Sequence, residues 1–182
     1  MSTAPALGSA DAYYRLPPRR VHELLGWNVW SACGRLASVQ VVRAGDHLEV
    51  LLAEHDEGSG PDGASTGSRT RLVLGPDGTC SAAHVASPSV MHMLHTGTEA
   101  SAATRDGGRS SVSTEFGDVL VATTASFLQA APAELLAQIP QRTRRRRSLA
   151  GLADELVRRV GRSSAGDRAG IVVAQRVWPA GV

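Results

Sequence analysis

The stretch that decides the fold is residues 117–136, GDVLVATTASFLQAAPAELL. Gly117-Asp118 breaks whatever precedes it, and the apolar run that follows predicts a strand over 119–123. Pro132 suits the first turn of a helix, where the missing N–H costs nothing, and Leu135, Leu136 and Ile139 continue it to give a helix over 132–139. Immediately downstream, Leu149, Leu152, Ala153, Leu156, Val157 and Val160 recur at helical spacing, which predicts an amphipathic helix over 148–161 capped by Ser148. A last apolar run predicts a strand over 171–177.

Working back from this segment, two β-rich runs within 36–54 flank Gly45-Asp46. Two more, within 71–85, flank Gly75-Pro76-Asp77-Gly78. Both read as antiparallel hairpins with standard turn chemistry. Residues 19–25 after Pro17-Pro18 are expected to make a short helix stopped by Gly26, and 87–94 a helical turn. Residues 57–67 and 96–111 are expected to be polar loops, and 1–16 a loose tail. Strands first, then two helices and a closing strand, make one α+β domain over 17–182. It has antiparallel, sandwich-like sheets flanked by C-terminal helices.

The chain has 182 residues, 42% hydrophobic and 20% charged, with net charge +2. All 19 basic residues are arginine. A Schiff-base lysine and a phosphate-loop lysine are therefore excluded. No apolar run reaches the roughly 18 residues of a membrane span, so the expectation is a cytoplasmic protein without membrane contact. Cys33 and Cys80 are too few for a disulfide scaffold and are expected to be buried thiols.

Three sets of residues could carry chemistry. His92 and His95, three apart, could share a helix face and hold a metal, with His84 nearby, but such a site needs a third and usually a fourth ligand and only Glu99 follows nearby. Ser126 lacks the flanking glycines of a nucleophile elbow. Arg142, Arg144, Arg145, Arg146 and Arg147 form a cationic run that could contact phosphate, nucleic acid or an acidic protein surface. The same run also reads as a solvated loop.

Residues 117–136, together with SLAGLADELVRRV (148–160) and AGDRAGIVVAQRV (165–177), resemble the PPM-type, protein phosphatase 2C-like phosphatases. That family's pattern here is Gly-Asp, an apolar strand, Thr/Ser-Asp-Gly, then a helix near Pro-x-Glu-Leu. The resemblance implies a β-sandwich and, for an active member, two Mn²⁺ or Mg²⁺ ions that activate water against a phosphoserine or phosphothreonine. It places Asp167 at the late metal-binding aspartate. Thr124 stands at the aspartate of Thr-Asp-Gly, Ala125 at its glycine, and the early Asp-Gly-x-Gly-Gly motif has no counterpart. A neutral hydroxyl does not supply the charge a hard divalent ion requires. The expectation is a degenerate, truncated phosphatase-like domain without cofactor, acting by protein binding or regulation. The alternatives are a metal-dependent phosphatase with relocated ligands, a different hydrolase using His92 and His95, or an anion- or nucleic-acid-binding protein using residues 142–147.

Overall fold

The computed structural model describes residues 13–14, 22–56, 68–85, 89–93, 99–102, 109–145, 149, 151–161 and 164–178. The strands are β1 (Tyr13–Tyr14), β2 (His22–Leu24), β3 (Trp27–Cys33), β4 (Ala37–Ala44), β5 (His47–Glu54) and β6 (Arg69–Leu74). They continue with β7 (Thr79–Val85), β8 (Ser89–Met93), β9 (Glu99–Ala102), β10 (Arg109–Ser113), β11 (Val119–Thr123) and β12 (Gly170–Arg176). The helices are α1 (Ala125–Ala130), α2 (Ala133–Arg145) and α3 (Leu152–Val160), with a 3-10 turn at Ser164–Arg168.

The strands form two six-stranded antiparallel sheets, β1-β4-β5-β6-β7-β10 and β2-β3-β12-β11-β8-β9. Alternation along β4 and β5 sends Val39, Val41, Leu48, Val50 and Leu52 inward. There they meet Trp27, Val29, Leu120, Ala122, Val172 and Ala174 of the second sheet. A second core lies on that sheet's far face, where Trp30, Val121, Ile171 and Val173 pack against Phe127, Leu135, Ile139, Leu152 and Leu156 of the helices. β11 is therefore buried on both faces, and β12 is nearly so, which accounts for their unbroken apolar runs. The layers are sheet, sheet, helices.

Both predicted hairpins form. Ala44 pairs with His47 across Gly45-Asp46, and Leu74 pairs with Cys80 across the Pro-Asp-Gly turn. In that second turn the Asp77 carboxylate accepts hydrogen bonds from the Thr79 amide (3.0 Å) and hydroxyl (2.7 Å). β11 and β12 lie where the sequence places them, and α2 and α3 form as expected helices with different ends.

Several expectations are corrected. Residues 22–24 are a strand, not part of a helix: Leu25 (φ 52°) and Gly26 (φ 77°) both take left-handed backbone and make a tight β2–β3 turn. Ser89–Met93 is a strand against β11 instead of a helical turn, and two edge strands, Glu99–Ala102 and the start of Arg109–Ser113, fall within the expected 96–111 loop. α2 does not stop at Ile139. It runs through a buried Pro140 to Arg145, because Ile139 is fully buried in the helix core while Arg142 ties the last turn to α3. α3 begins at Leu152 without a side-chain cap, and Ser148 lies outside the described residues. Tyr13–Tyr14, expected in the tail, pair with β4. The expected 57–67 loop is outside the described residues.

Candidate functional site

One end of the sandwich gathers Asp167, Thr124 and a set of partners that the sequence reading did not single out. The β3–β4 turn, the ends of β5 and β6, the β11–α1 junction and the 3-10 turn before β12 all meet there. Gly34 permits this closeness: a Cβ at that position would lie 2.3 Å from the Gly166 carbonyl oxygen and 2.5 Å from that of Asp167. The Gly34 amide donates to Ala169 O (2.8 Å) and the Leu36 amide to Asp167 O (2.6 Å), which fixes the turn carrying Asp167.

Thr124 is 1% exposed and caps α1. Its hydroxyl accepts from the amides of Phe127 (3.2 Å) and Gly170 (3.0 Å) and donates to the Arg168 carbonyl (3.1 Å). The other amides of that first turn are also engaged. Ser126 N–H donates to the buried Glu54 carboxylate at 2.7 Å, and Ala125 N–H donates to Ser68 Oγ at 3.4 Å. Glu54 thus places its negative charge at a helix start, where the helix dipole favours it. Ser126 is buried and acts here through its backbone.

The two aspartates at this end face guanidinium groups. Asp167 pairs with Arg35 at 3.2 Å, with side chains 52% and 64% exposed, and Asp56 pairs with Arg168 at 3.3 Å. Such exposed pairs contribute about 0–1 kcal/mol each, so their consequence is electrostatic placement more than stability. Beside them, Ser38 Oγ and His55 Nε2 share a hydrogen bond of 2.7 Å.

These residues do not fit the two-ion centre of the resembled phosphatases. Among the described residues, no three His, Cys, Asp or Glu side chains gather at ion-binding spacing. Asp167 and Asp56 each face an arginine, Glu54 faces an amide, and a neutral hydroxyl stands at Thr124. A divalent ion requires several oxygen ligands with net negative charge around it.

The other predicted residues lie elsewhere. His84 is buried in β7, with Nδ1 3.2 Å from the Thr70 hydroxyl and Nε2 without a hydrogen-bond partner; burial pushes its pKa below the ordinary value. His92 sits on strand β8 opposite Leu120 and not on a helix, so the helical placement behind the metal reading is corrected. His95 is outside the described residues. Burial pushes the Cys80 thiol up to about 12, which leaves it unreactive at neutral pH. Cys33, expected to be buried, is exposed because it ends β3 at the sandwich rim.

The arginine run is not an interhelix loop at its start. Arg142, Arg144 and Arg145 belong to the last turn of α2, where cations suit the helix dipole, and Arg146 and Arg147 lie outside the described residues. Arg142 bonds Gln138 Oε1 and the Glu155 carboxylate (2.6 Å), and Arg159 shares that carboxylate at 2.9 Å. Arg142 therefore locks α2 to α3.

Glu54 was legible in the sequence as the inward-facing carboxylate of the alternation Leu48, Val50, Leu52, Glu54. Arg35, Asp56 and Arg168 carried no local signal, since their pairs join distant parts of the chain.

No family model matches the chain, and no curated protein matches it. Solved structures do. RsbX in complex with magnesium shares 10% identity over 86% of this chain and 98% of its own, with TM-score 0.58. The phosphatase domain of SpoIIE from Bacillus subtilis shares 12% over 86% and 96%, with TM-score 0.61. The catalytic domain of the phosphatase PstP with two manganese ions shares 11% over 84% and 98%, with TM-score 0.55. These neighbours are PP2C-type phosphatase domains, and this chain has their fold. Among the described residues, no helix is long and apolar enough to cross a membrane.

Proposed function

We infer that the chain is a regulatory, protein-binding module on the PP2C fold that works without two-metal hydrolysis, in the cytoplasm. One observation carries the reading. At the end of the sandwich holding Asp167, the negative charges face the protein's own donors, Arg35, Arg168 and the Ser126 amide, and the Thr124 hydroxyl is committed to backbone groups. With those carboxylates and that hydroxyl engaged, the site lacks a ligand set for two ions that would activate a water. Similarity to SpoIIE, described as a cell fate determinant, supports a role in a signalling system.

The test is hydrolysis of a phosphothreonine peptide by the purified protein, with and without Mn²⁺. No metal-dependent turnover is expected. Turnover that requires Mn²⁺ and disappears in Asp167→Ala would return the chain to the metal-dependent phosphatases, with Asp167 in a working site. Arg144, Arg145, Arg146 and Arg147 remain the proposed contact for an anionic partner surface.

A further inference from the structure

The buried residues of α1–α3 share their core with one sheet only, and the other sheet turns its outer face to solvent. A hollow of about 430 Å³ lies on that face. Its outward-facing lining includes Leu51, Ala53 and Ala83 beside Arg69 and Arg71. Leu51 is 38% exposed, one of two large apolar side chains so exposed among the described residues. Strand register puts Leu51, Arg71, Ala83 and Arg109 in one row across β5, β6, β7 and β10.

The charges on this face are lopsided. Arg69, Arg71 and Arg109 are all exposed, and among the described strand residues facing outward on this sheet the one carboxylate is Glu49, held by Arg71 (Nε to Oε2, 3.1 Å). Besides aliphatic Leu51, Ala53 and Ala83, the lining carries Gln40 and the imidazoles of His55 and His84, and no Phe, Tyr or Trp lines the hollow. Nucleic acid would call for base-stacking rings and a continuous cationic track. An apolar floor between cations suits an amphipathic acidic segment instead.

The dimensions select a helix. The row from Leu51 to Arg109 crosses three strand spacings, roughly 14 Å, and a helix with its side chains is about 10–12 Å wide. The eight residues of β5 extend roughly 27 Å, the length of about 18 helical residues. The opposite sheet already buries its outer face under helices. Resting on the reading of the chain as a protein-binding module, the geometry points to this sheet face as the docking site for an acidic amphipathic helix of a partner protein. Its apolar stripe covers Leu51, Ala53 and Ala83, and its carboxylates meet Arg69, Arg71 and Arg109.

The experiment selects binders from a displayed library of random peptides of roughly 18 residues against the full chain. The enriched peptides are synthesised, and their affinities are measured by fluorescence anisotropy. Two variants are compared with the wild type: Leu51→Lys, and Arg69→Gln/Arg109→Gln, which leaves the Arg71–Glu49 pair intact. Circular dichroism checks that each is folded. Enriched peptides should be net acidic with apolar residues three and four apart, and should bind each variant at least about tenfold more weakly. No enrichment, basic or neutral sequences, or affinity unchanged in the variants would overturn the proposal. So would single-stranded DNA that binds the wild type and is lost in the same variants. The phosphothreonine assay is run on the same preparations. Metal-dependent turnover with intact peptide binding would sink the non-hydrolytic reading alone, whereas no turnover and no peptide binding would sink the docking face alone.

Discussion

Replacing Thr124 with valine keeps its shape and removes its hydroxyl, which separates the two roles that position could have. In the structure the hydroxyl accepts from two amides, Phe127 and Gly170, and donates to the Arg168 carbonyl, in a place with 1% exposure. Loss of a helix cap costs about 1 kcal/mol. The orphaned Gly170 amide adds roughly 1–3 kcal/mol, because water does not reach it. Thr124→Val should therefore destabilise by about 3 kcal/mol. For a chain of this size that lowers Tm by roughly 6–12 °C. Thr124→Ser, which keeps the oxygen, should stay within about 1 kcal/mol of the wild type. Urea unfolding followed by far-UV circular dichroism at pH 7 measures all three proteins. A loss below about 1 kcal/mol in Thr124→Val would refute the claim that this hydroxyl holds α1, the 3-10 turn and β12 together. Thr124→Asp supplies the carboxylate that the phosphatase pattern expects, yet it should still give no Mn²⁺-dependent hydrolysis, since Asp56 and Asp167 would still face Arg168 and Arg35.

Stability should fall as pH drops below about 6.5: His84 has a folded pKa lowered by burial, so the unfolded chain takes the proton first. His47, whose pKa is raised chiefly by its hydrogen bond to Asp46, acts in the opposite sense. Thermal melts of wild type and His84→Gln between pH 5 and 7.5 isolate the His84 part, and the variant should show the shallower slope. Arg176→Met should cost about 3 kcal/mol in urea unfolding. It removes a buried guanidinium that bonds the carbonyls of Leu25, Gly26 and Pro76 and lies 5.4 Å from the Trp27 ring centroid. Replacing Arg144, Arg145, Arg146 and Arg147 with Gln should leave the circular dichroism spectrum unchanged. If the run binds single-stranded DNA, the change should cut the logarithmic salt slope by up to about 3.

The features legible in the sequence were those written in local chemistry. Gly45-Asp46 and Pro76-Asp77-Gly78 announced hairpins because few residues tolerate those backbone angles. The runs Val119–Thr123 and Ile171–Val177 announced central strands because both of their faces are buried. β9 and β10, Glu-Ala-Ser-Ala and Arg-Ser-Ser-Val-Ser, gave no such signal. They are sheet edges, paired by ladder hydrogen bonds to β8 and β7, and their small polar residues show no long apolar run. Pro140 misled in the other direction. A proline normally ends a helix, but here Ile139 is anchored in the helix core and the Arg142–Glu155 pair holds the turn beyond it. At the candidate site, Asp167 and Thr124 were found through resemblance and Glu54 was readable from alternation. The cations that face the aspartates were not readable. Arg35 meets Asp167 across 132 residues of chain, and only the closed sandwich brings them together.

The central claim is that protein cations and amides, instead of a pair of divalent ions, balance the carboxylates at this end of the sandwich. Calorimetric titration of Mn²⁺ into the wild-type protein tests it most directly. Binding no tighter than on the order of millimolar is expected. Saturable binding of two ions per chain at micromolar affinity, lost in Asp167→Ala, would contradict it.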